Sequence, residues 1–478
     1  MFFTELKFFI ILIAALIIYY RLPRDKGWYV LLASSIAVVG MISVSYLVYA
    51  LFFAIINYVA GLLITRDTKW KMLMYYSIVV LDVGLLVFFK YTNFLIESVL
   101  EFATFINVYD NKIPYFEILA PIGISFYTFQ GIGYQIDLKR GHVQPERNIF
   151  KYLLFIVYFP KFVSGPVERS KTLLPQINKA PQLVPNNIIE GAKLFAWGLF
   201  KKLVIADHLY LYIKSSYEHT ADYSALALFI ILILQPLQIY ADFSGYTDIA
   251  RGISRMFGVE LLPNFKNPFM ATNVTNFWKR WHMSLTRWCG DYIYNQIILK
   301  RRKWKKWGAV YAVFVTFFII GIWHGARWTY IVLGLLQGLV MSYEFFFKKW
   351  RMQNGAKIPK PLNNILSRVL TYLFFGFSLI FFNAPDIQSA GLFVHNLFFN
   401  FSGSAIEFVS EFRIEFYVRM LIVFIILWFD YMNEQNKDAY GVLKTKPSYV
   451  RWAFYMLLMV VLFSYGNMGG TEFVYAGF

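Results

Sequence analysis

The sequence predicts an all-α polytopic membrane protein, and three observations carry that expectation. Of its 478 residues, 58% are hydrophobic and only 15% are charged, where a soluble domain carries about half and a quarter. Apolar runs close to the ~20 residues that a spanning helix needs recur along the chain. The Lys and Arg residues, which leave a net charge of +18, lie in short connections between those runs, as in cytoplasmic loops. Nucleic acid is not the expected partner, because the aromatics that would stack on bases lie inside the apolar runs. The single cysteine, Cys289, excludes an internal disulfide and a cysteine-rich metal site.

Taken in order, residues 2–20 form the first span, read as retained because no small-residue cleavage site follows it. Arg21, Arg24 and Lys26 after it place the N-terminus outside. Runs 28–40 and 44–64 lead to a basic loop with Arg66, Lys69 and Lys71. Run 73–95 contains Asp82 and Lys90, and ends in an acidic outer loop with Glu97, Glu101 and Asp110. Run 116–136 returns to Lys139, Arg140, Arg147 and Lys151. In 152–185, Pro160, Gly165 and Pro166 break the helical pattern, so the stretch reads as a re-entrant or interfacial turn.

Runs 188–211 and 225–241 make an out-and-back pair. Residues 242–306 hold no clean span and end in Lys300-Arg301-Arg302-Lys303-Trp304-Lys305-Lys306, a cytoplasmic cluster suited to anionic headgroups or a donor's phosphates. The pair 309–320 and 328–341 precedes a basic loop, 348–360, and the runs 365–382, 416–429 and 452–465. Segments 97–113, 212–224 and 383–415 fall outside, and 430–451 inside. The alternation closes at about eleven or twelve spans. There is no soluble domain and no repeat of the kind that inverted-topology transporters show.

Within this pattern, Gly321-Ile322-Trp323-His324-Gly325 stands between two apolar runs. A histidine there is expensive unless it faces a wet or protein-lined cavity. The flanking glycines let the backbone bend, and Trp323 and Trp328 offer flat walls with one polar edge each. A core histidine satisfied by a neighbour is the structural alternative. A second histidine, His282, lies among Asn276, Trp278, Lys279, Arg280, Trp281, Arg287 and Trp288. The spacing of Trp278, Trp281, Ser284, Leu285 and Trp288 is helical, and an interfacial amphipathic helix anchored by its tryptophans is the expectation. An anchor has no need of imidazole, whereas a proton-transfer site does.

Asp242 and Asp248 stand six apart at an expected helix end. Their spacing to histidine fits no familiar metal-ligand motif, so a capping or helix-fixing role is preferred and no metal is expected. His142, His208, His219 and His395 fall at loops or span ends and are not expected to be catalytic.

Two histidines set in FWKRWH (277–282) and GIWHG (321–325) resemble the membrane-bound O-acyltransferase superfamily. The likeness is to its bacterial branch of alginate O-acetyltransferases and teichoic-acid D-alanylation acyltransferases. LLVFFKYTNF (85–94), APIGISFYTFQGIGYQIDLKRG (120–141), YFPKFVSGPVER (158–169), LFKKLVIAD (199–207), YADFSGYTDIARG (240–252) and LLPNFKNPF (261–269) agree in order and character. Residues 85–347 are then the catalytic core, flanked by N-terminal spans in 1–84 and C-terminal spans in 348–478. One departure is local. Where alginate-type members usually continue to Arg-Asp-Tyr and Pro-Leu-Gly-Gly, this chain has Cys289-Gly290-Asp291-Tyr292 and Asn295-Gln296-Ile297. It falls where a cytoplasmic donor docks, and leaves the donor's identity open.

The resemblance implies a ring of tilted helices around a central funnel, with His324 at its floor and His282 on the cytoplasmic path. It implies acyl transfer from a cytoplasmic thioester, acetyl-CoA with an acyl carrier protein as the alternative, to O-acetylate an exported polysaccharide, with no tightly bound cofactor. D-alanyl transfer from a carrier protein to a teichoic-acid-type polymer is the alternative within the family. A channel or transporter is the alternative outside it. The resemblance also implies a multi-pass protein of the bacterial inner membrane, in contact with lipid, working with an extracytoplasmic serine-hydrolase-like acetyltransferase. Residues 399–412 are the expected docking surface for that partner.

Overall fold

The computed structural model describes residues 2–401 except 24, 67–68, 109–115, 119 and 180–181, isolated positions between 424 and 443, and 445–474 except 468, 470 and 472. The expected span 416–429 and docking surface 399–412 lie almost wholly outside the described residues. Every regular element among the described residues is helical.

The chain opens with α1 (Leu6–Arg21), α2 (Gly27–Ile42), α3 (Val44–Ile64), the long α4 (Lys71–Phe105) and α5 (Ile124–Lys139). Short helices α6 (Ile149–Val157) and α7 (Ser170–Ile177) flank the proline-containing stretch. Residues 152–164 are buried throughout, so the break expected there is an interior turn. Next come α8 (Pro185–Phe200), a π-helical turn (Lys201–Ala206), α9 (Asp207–Glu218) and α10 (Ala225–Met256).

Three short helices follow: α11 (Val274–Trp278), α12 (Met283–Cys289) and α13 (Asn295–Lys300). The antiparallel hairpin of α14 (Lys306–His324) and α15 (Trp328–Phe346) leads to α16 (Lys348–Gly355), α17 (Lys360–Asn383), α18 (Ile387–Phe399) and α19 (Ser448–Tyr465).

Among the described residues, seven helices are long and apolar enough to cross a membrane: α3, α4, α10, α14, α15, α17 and α19. The polytopic all-α expectation stands on them, but the run-by-run reading gave a larger number of spans. Several of those runs are 16-residue helices, α1, α2 and α5 among them, each about 24 Å long against a ~30 Å hydrocarbon core. The run 188–211 is interrupted by the π turn.

Burial divides the spans by role. α10 is 78% buried over its most apolar stretch and α4 only 11%, so α10 is the central post and α4 faces lipid. α8 packs along α10 through glycines: a Cβ on Gly198 would stand 2.6 Å from the Gly245 carbonyl oxygen, and one on Gly252 2.7 Å from that of Gly191. Such closeness is how helices associate where water supplies no drive.

The helix-end placement of Asp242 and Asp248 is corrected by this post, because both lie inside the continuous α10. Hydropathy falls at 242–248, yet the helix runs on because the protein interior answers its polarity. Lys202 of the π turn contacts Asp242 at 2.5 Å and Asp207 at 2.8 Å, and Lys201 contacts Asp248 at 2.5 Å. Asp242 also accepts the Val474 N–H, and Asp207 the Thr471 hydroxyl, which ties the C-terminal stretch to the centre. The carboxylates are held by lysines, and do not cap.

Candidate active site

His324 is the last residue of α14, and the α14–α15 hairpin sets where it stands. A Cβ on Gly334 would lie 2.3 Å from the Phe317 carbonyl oxygen, and one on Gly321 2.4 Å from that of Tyr330. Glycine at 321 therefore lets two helices meet.

The carbonyls at a helix C-terminus have no partner within the helix, and here α4 supplies two. Lys90 Nζ donates to the Trp323 carbonyl at 2.6 Å, and the Tyr91 hydroxyl donates to the Ile322 carbonyl. A lipid-facing helix thus sets two polar side chains, half-buried Lys90 and buried Tyr91, on the end of the helix that carries His324.

His282 comes from a different element. The single amphipathic helix expected over 276–288 is two helices, α11 and α12, broken at His282, whose φ is 42°. Asn264 pins the break: its backbone oxygen accepts the Met283 N–H at 2.9 Å and its Oδ1 accepts the Ser284 hydroxyl at 2.6 Å. Glu344 of α15 accepts the Val274 and Thr275 N–H groups at the start of α11. The expected tryptophan anchors are also overturned, since Trp278, Trp281 and Trp288 are all buried. Helical spacing marks a shared face, and this face points into protein.

The two histidines meet through Trp323. Its ring centroid lies 5.1 Å from that of His324 and 6.0 Å from that of His282. It is also stacked on Phe129 at 5.5 Å, and Phe129 on Trp288 at 4.2 Å, so the indole cannot swing freely. His324 further packs edge-on against Phe382 of α17. From His324 a narrow cavity of about 20 Å³ follows α14 and α15 towards Gln337, walled by Trp278, Trp281, Phe317 and Leu379. That is room for about one water.

The other candidate residues divide clearly. Trp278 lines the cavity and donates its indole N–H to Gln337 at 3.1 Å; Trp281 lines it too. Trp328 is 53% exposed and packs on Phe94, so it is no wall of this cavity. Asn276 accepts from Arg280, which also makes two hydrogen bonds to Glu434 at 2.7 and 2.9 Å. These bonds hold the Glu434 carboxyl below its ordinary range. Asp291 pairs with Arg169 of the 158–169 motif at 2.6 Å. Asp242 and Asp248 line no part of the cavity and pair with Lys202 and Lys201 of the π turn. Lys90, Tyr91, Asn264 and Gln337 were not singled out from sequence. Lys90 alone carried a signal, as a cation inside an apolar run.

These features define a helical, multi-pass membrane protein with two buried histidines gathered on one tryptophan beside a narrow internal cavity. The sequence profile of the membrane-bound O-acyltransferase family matches residues 140–384. A probable alginate O-acetylase of Pseudomonas aeruginosa is 34% identical over 69% of this chain and 60% of its own length. A peptidoglycan O-acetyltransferase of Helicobacter pylori is 30% identical over 76% of this chain and 72% of its own. A teichoic acid D-alanyltransferase of Bacillus subtilis is 27% identical over 58% and 71%. The chain belongs to the membrane-bound O-acyltransferase family. It spans about 60% of the length of the alginate relatives it matches.

Proposed function

We propose that this protein takes an acetyl group from a cytoplasmic thioester, acetyl-CoA, and delivers it across the inner membrane for O-acetylation of an exported or cell-surface polysaccharide. The observation that carries the reading is the pairing of His324 and His282 on Trp323 at the end of an internal cavity. A hydroxyl is a weak nucleophile near neutral pH. His324, as general base, takes the hydroxyl proton while the oxygen attacks the thioester carbonyl. The new C–O bond forms, the C–S bond breaks, and the leaving thiolate takes up a proton. Trp323 and Phe382 exclude water from the imidazole, which strengthens its hydrogen bond to the attacking hydroxyl.

The basic cluster 300–306 puts the start of α14 in the cytoplasm, and α14 is 19 residues long, about 28 Å. His324 is then a membrane's depth from that cluster, on the side from which an outer acceptor arrives. The same rule places the N-terminus outside. Named relatives act on alginate, peptidoglycan and teichoic acid, which supports a polymer acceptor. A bulky polymer reaches such a floor poorly, and an extracytoplasmic transferase with a serine nucleophile would carry the acyl group onward.

A second reading, D-alanyl transfer from a carrier protein, is favoured by the altered stretch around Asp291 and by the Bacillus subtilis relative. Membranes given labelled acetyl-CoA, acetyl carrier protein or D-alanyl carrier protein in turn separate the readings. Label reaching polymer from acetyl-CoA supports the first, and label only from a D-alanyl carrier replaces it with the second. Undiminished polymer acetylation after deletion of every candidate extracytoplasmic serine transferase would show that the chain acts alone.

A further inference from the structure

Gln337, on α15, is buried in the wall of the cavity that starts at His324. Its Oε1 accepts the Trp278 indole N–H. An indole nitrogen donates and does not accept, so this bond fixes which end of the carboxamide faces Trp278. The other end, Nε2 with two hydrogens, has no acceptor among the described residues. The nearby walls formed by Phe317, Ile320, Leu333 and Leu379 offer none. A buried donor left unmade is costly, and a molecule in the cavity that supplies a carbonyl oxygen removes that cost.

The hairpin register says how far this donor lies from the chemistry. Gly334 faces Phe317 and Gly338 faces Phe314, which puts Gln337 roughly nine to ten residues, on the order of 14 Å, below His324 along α14. CoA and carrier proteins both present their thioester on a pantetheine arm. Extended, that arm carries two amide carbonyls on the order of 6 and 11 Å from the thioester carbon by standard bond lengths. With the thioester at His324, the farther carbonyl comes within one hydrogen-bond length, ~3 Å, of the level of Gln337.

We propose that Gln337 donates from Nε2 to an amide carbonyl of the donor's pantetheine arm, so that this cavity is the inner end of a donor channel that selects amide-bearing thioesters. The proposal rests on the acyl-transfer reading above. It requires the aromatic walls to part when the arm enters, because the cavity as it stands holds about one water.

The test uses the full chain in inside-out membrane vesicles, which expose the cytoplasmic face together with the native acceptor. Thiol release is measured with S-acetylpantetheine and with S-acetyl-2-mercaptoethanol, which has no amide. Wild-type protein is expected to prefer the first donor, and Gln337→Met to lose about tenfold of that preference in kcat/KM, the loss typical of one hydrogen bond. The amide-free donor reports whether the variant is folded. Should Gln337→Met be inactive with both, Gln337→Glu keeps the acceptor for Trp278, removes the N–H pair and supplies the same ratio. An unchanged preference in the variant overturns the proposal. No release above the His324→Ala background from any donor with wild-type protein defeats the acyl-transfer reading and the proposal with it. Acetyl-CoA and acetyl carrier protein run beside them separate the two sources, and the Gln337→Met loss should follow whichever drives wild-type transfer.

Discussion

At position 282 the backbone is left-handed, with φ at 42°, a region that residues other than glycine seldom enter. Asparagine tolerates it, so His282→Asn removes the imidazole without forcing the turn open. Protein abundance and helicity should hold, while acyl transfer should fall by roughly 10²-fold, the lower end for a lost proton-transfer group. Near-normal turnover would leave His282 a structural residue. His324 stood out in the sequence because an ionisable group among apolar residues needs a reason, and His282 because an interfacial anchor has no need of imidazole. Gln337 did not, since a neutral amide in an apolar helix is unremarkable. Its meaning comes from Trp278, 59 positions away, on a helix that the pattern alone placed at the membrane surface.

Among the elements, the bond from Lys90 to the Trp323 carbonyl makes α4 a brace for the end of α14. Lys90→Met should lower kcat by about 10–100-fold, since a shift near 1 Å at a reacting group can cost 10²-fold. Donor KM should stay near its wild-type value, and Lys90→Arg should recover part of the loss. A variant impaired only in abundance, with normal kcat per folded molecule, would make the brace a folding feature alone. The spans α3, α4, α14, α15 and α17 were visible as apolar runs. The full length of α10 was not, because its lower half carries Asp242, Ser244 and Asp248, polar residues that Lys201 and Lys202 answer from another helix, and Thr247, which accepts from Asn264. Hydropathy sees one helix at a time, and a buried charge is explained only by its partner.

Across the whole molecule, the cluster of Lys202 with Asp207 and Asp242 joins α9, α10 and the C-terminal residues Thr471 and Val474. Lys202→Met would leave two buried carboxylates without their cation, and removal of one partner from such a cluster costs about 3–5 kcal/mol. Abundance in the membrane should drop sharply, and a second change, Asp242→Asn, should restore part of it. Equal abundance of the single variant and wild type would mean that water reaches the cluster. Orientation is tested in a Cys289→Ser background. A cysteine at Lys303 should react only from the cytoplasm and one at Glu101 only from outside, and reversed labelling would reverse the direction of transfer.

The central claim is that this chain moves an acyl group and that His324 does the proton transfer. The direct test is the rate of labelled acetyl transfer by native-membrane vesicles holding equal amounts of wild-type or His324→Ala protein. The account predicts unchanged abundance and a fall of about 10²–10⁴-fold, while a folded His324→Ala protein that transfers at near the wild-type rate would contradict it.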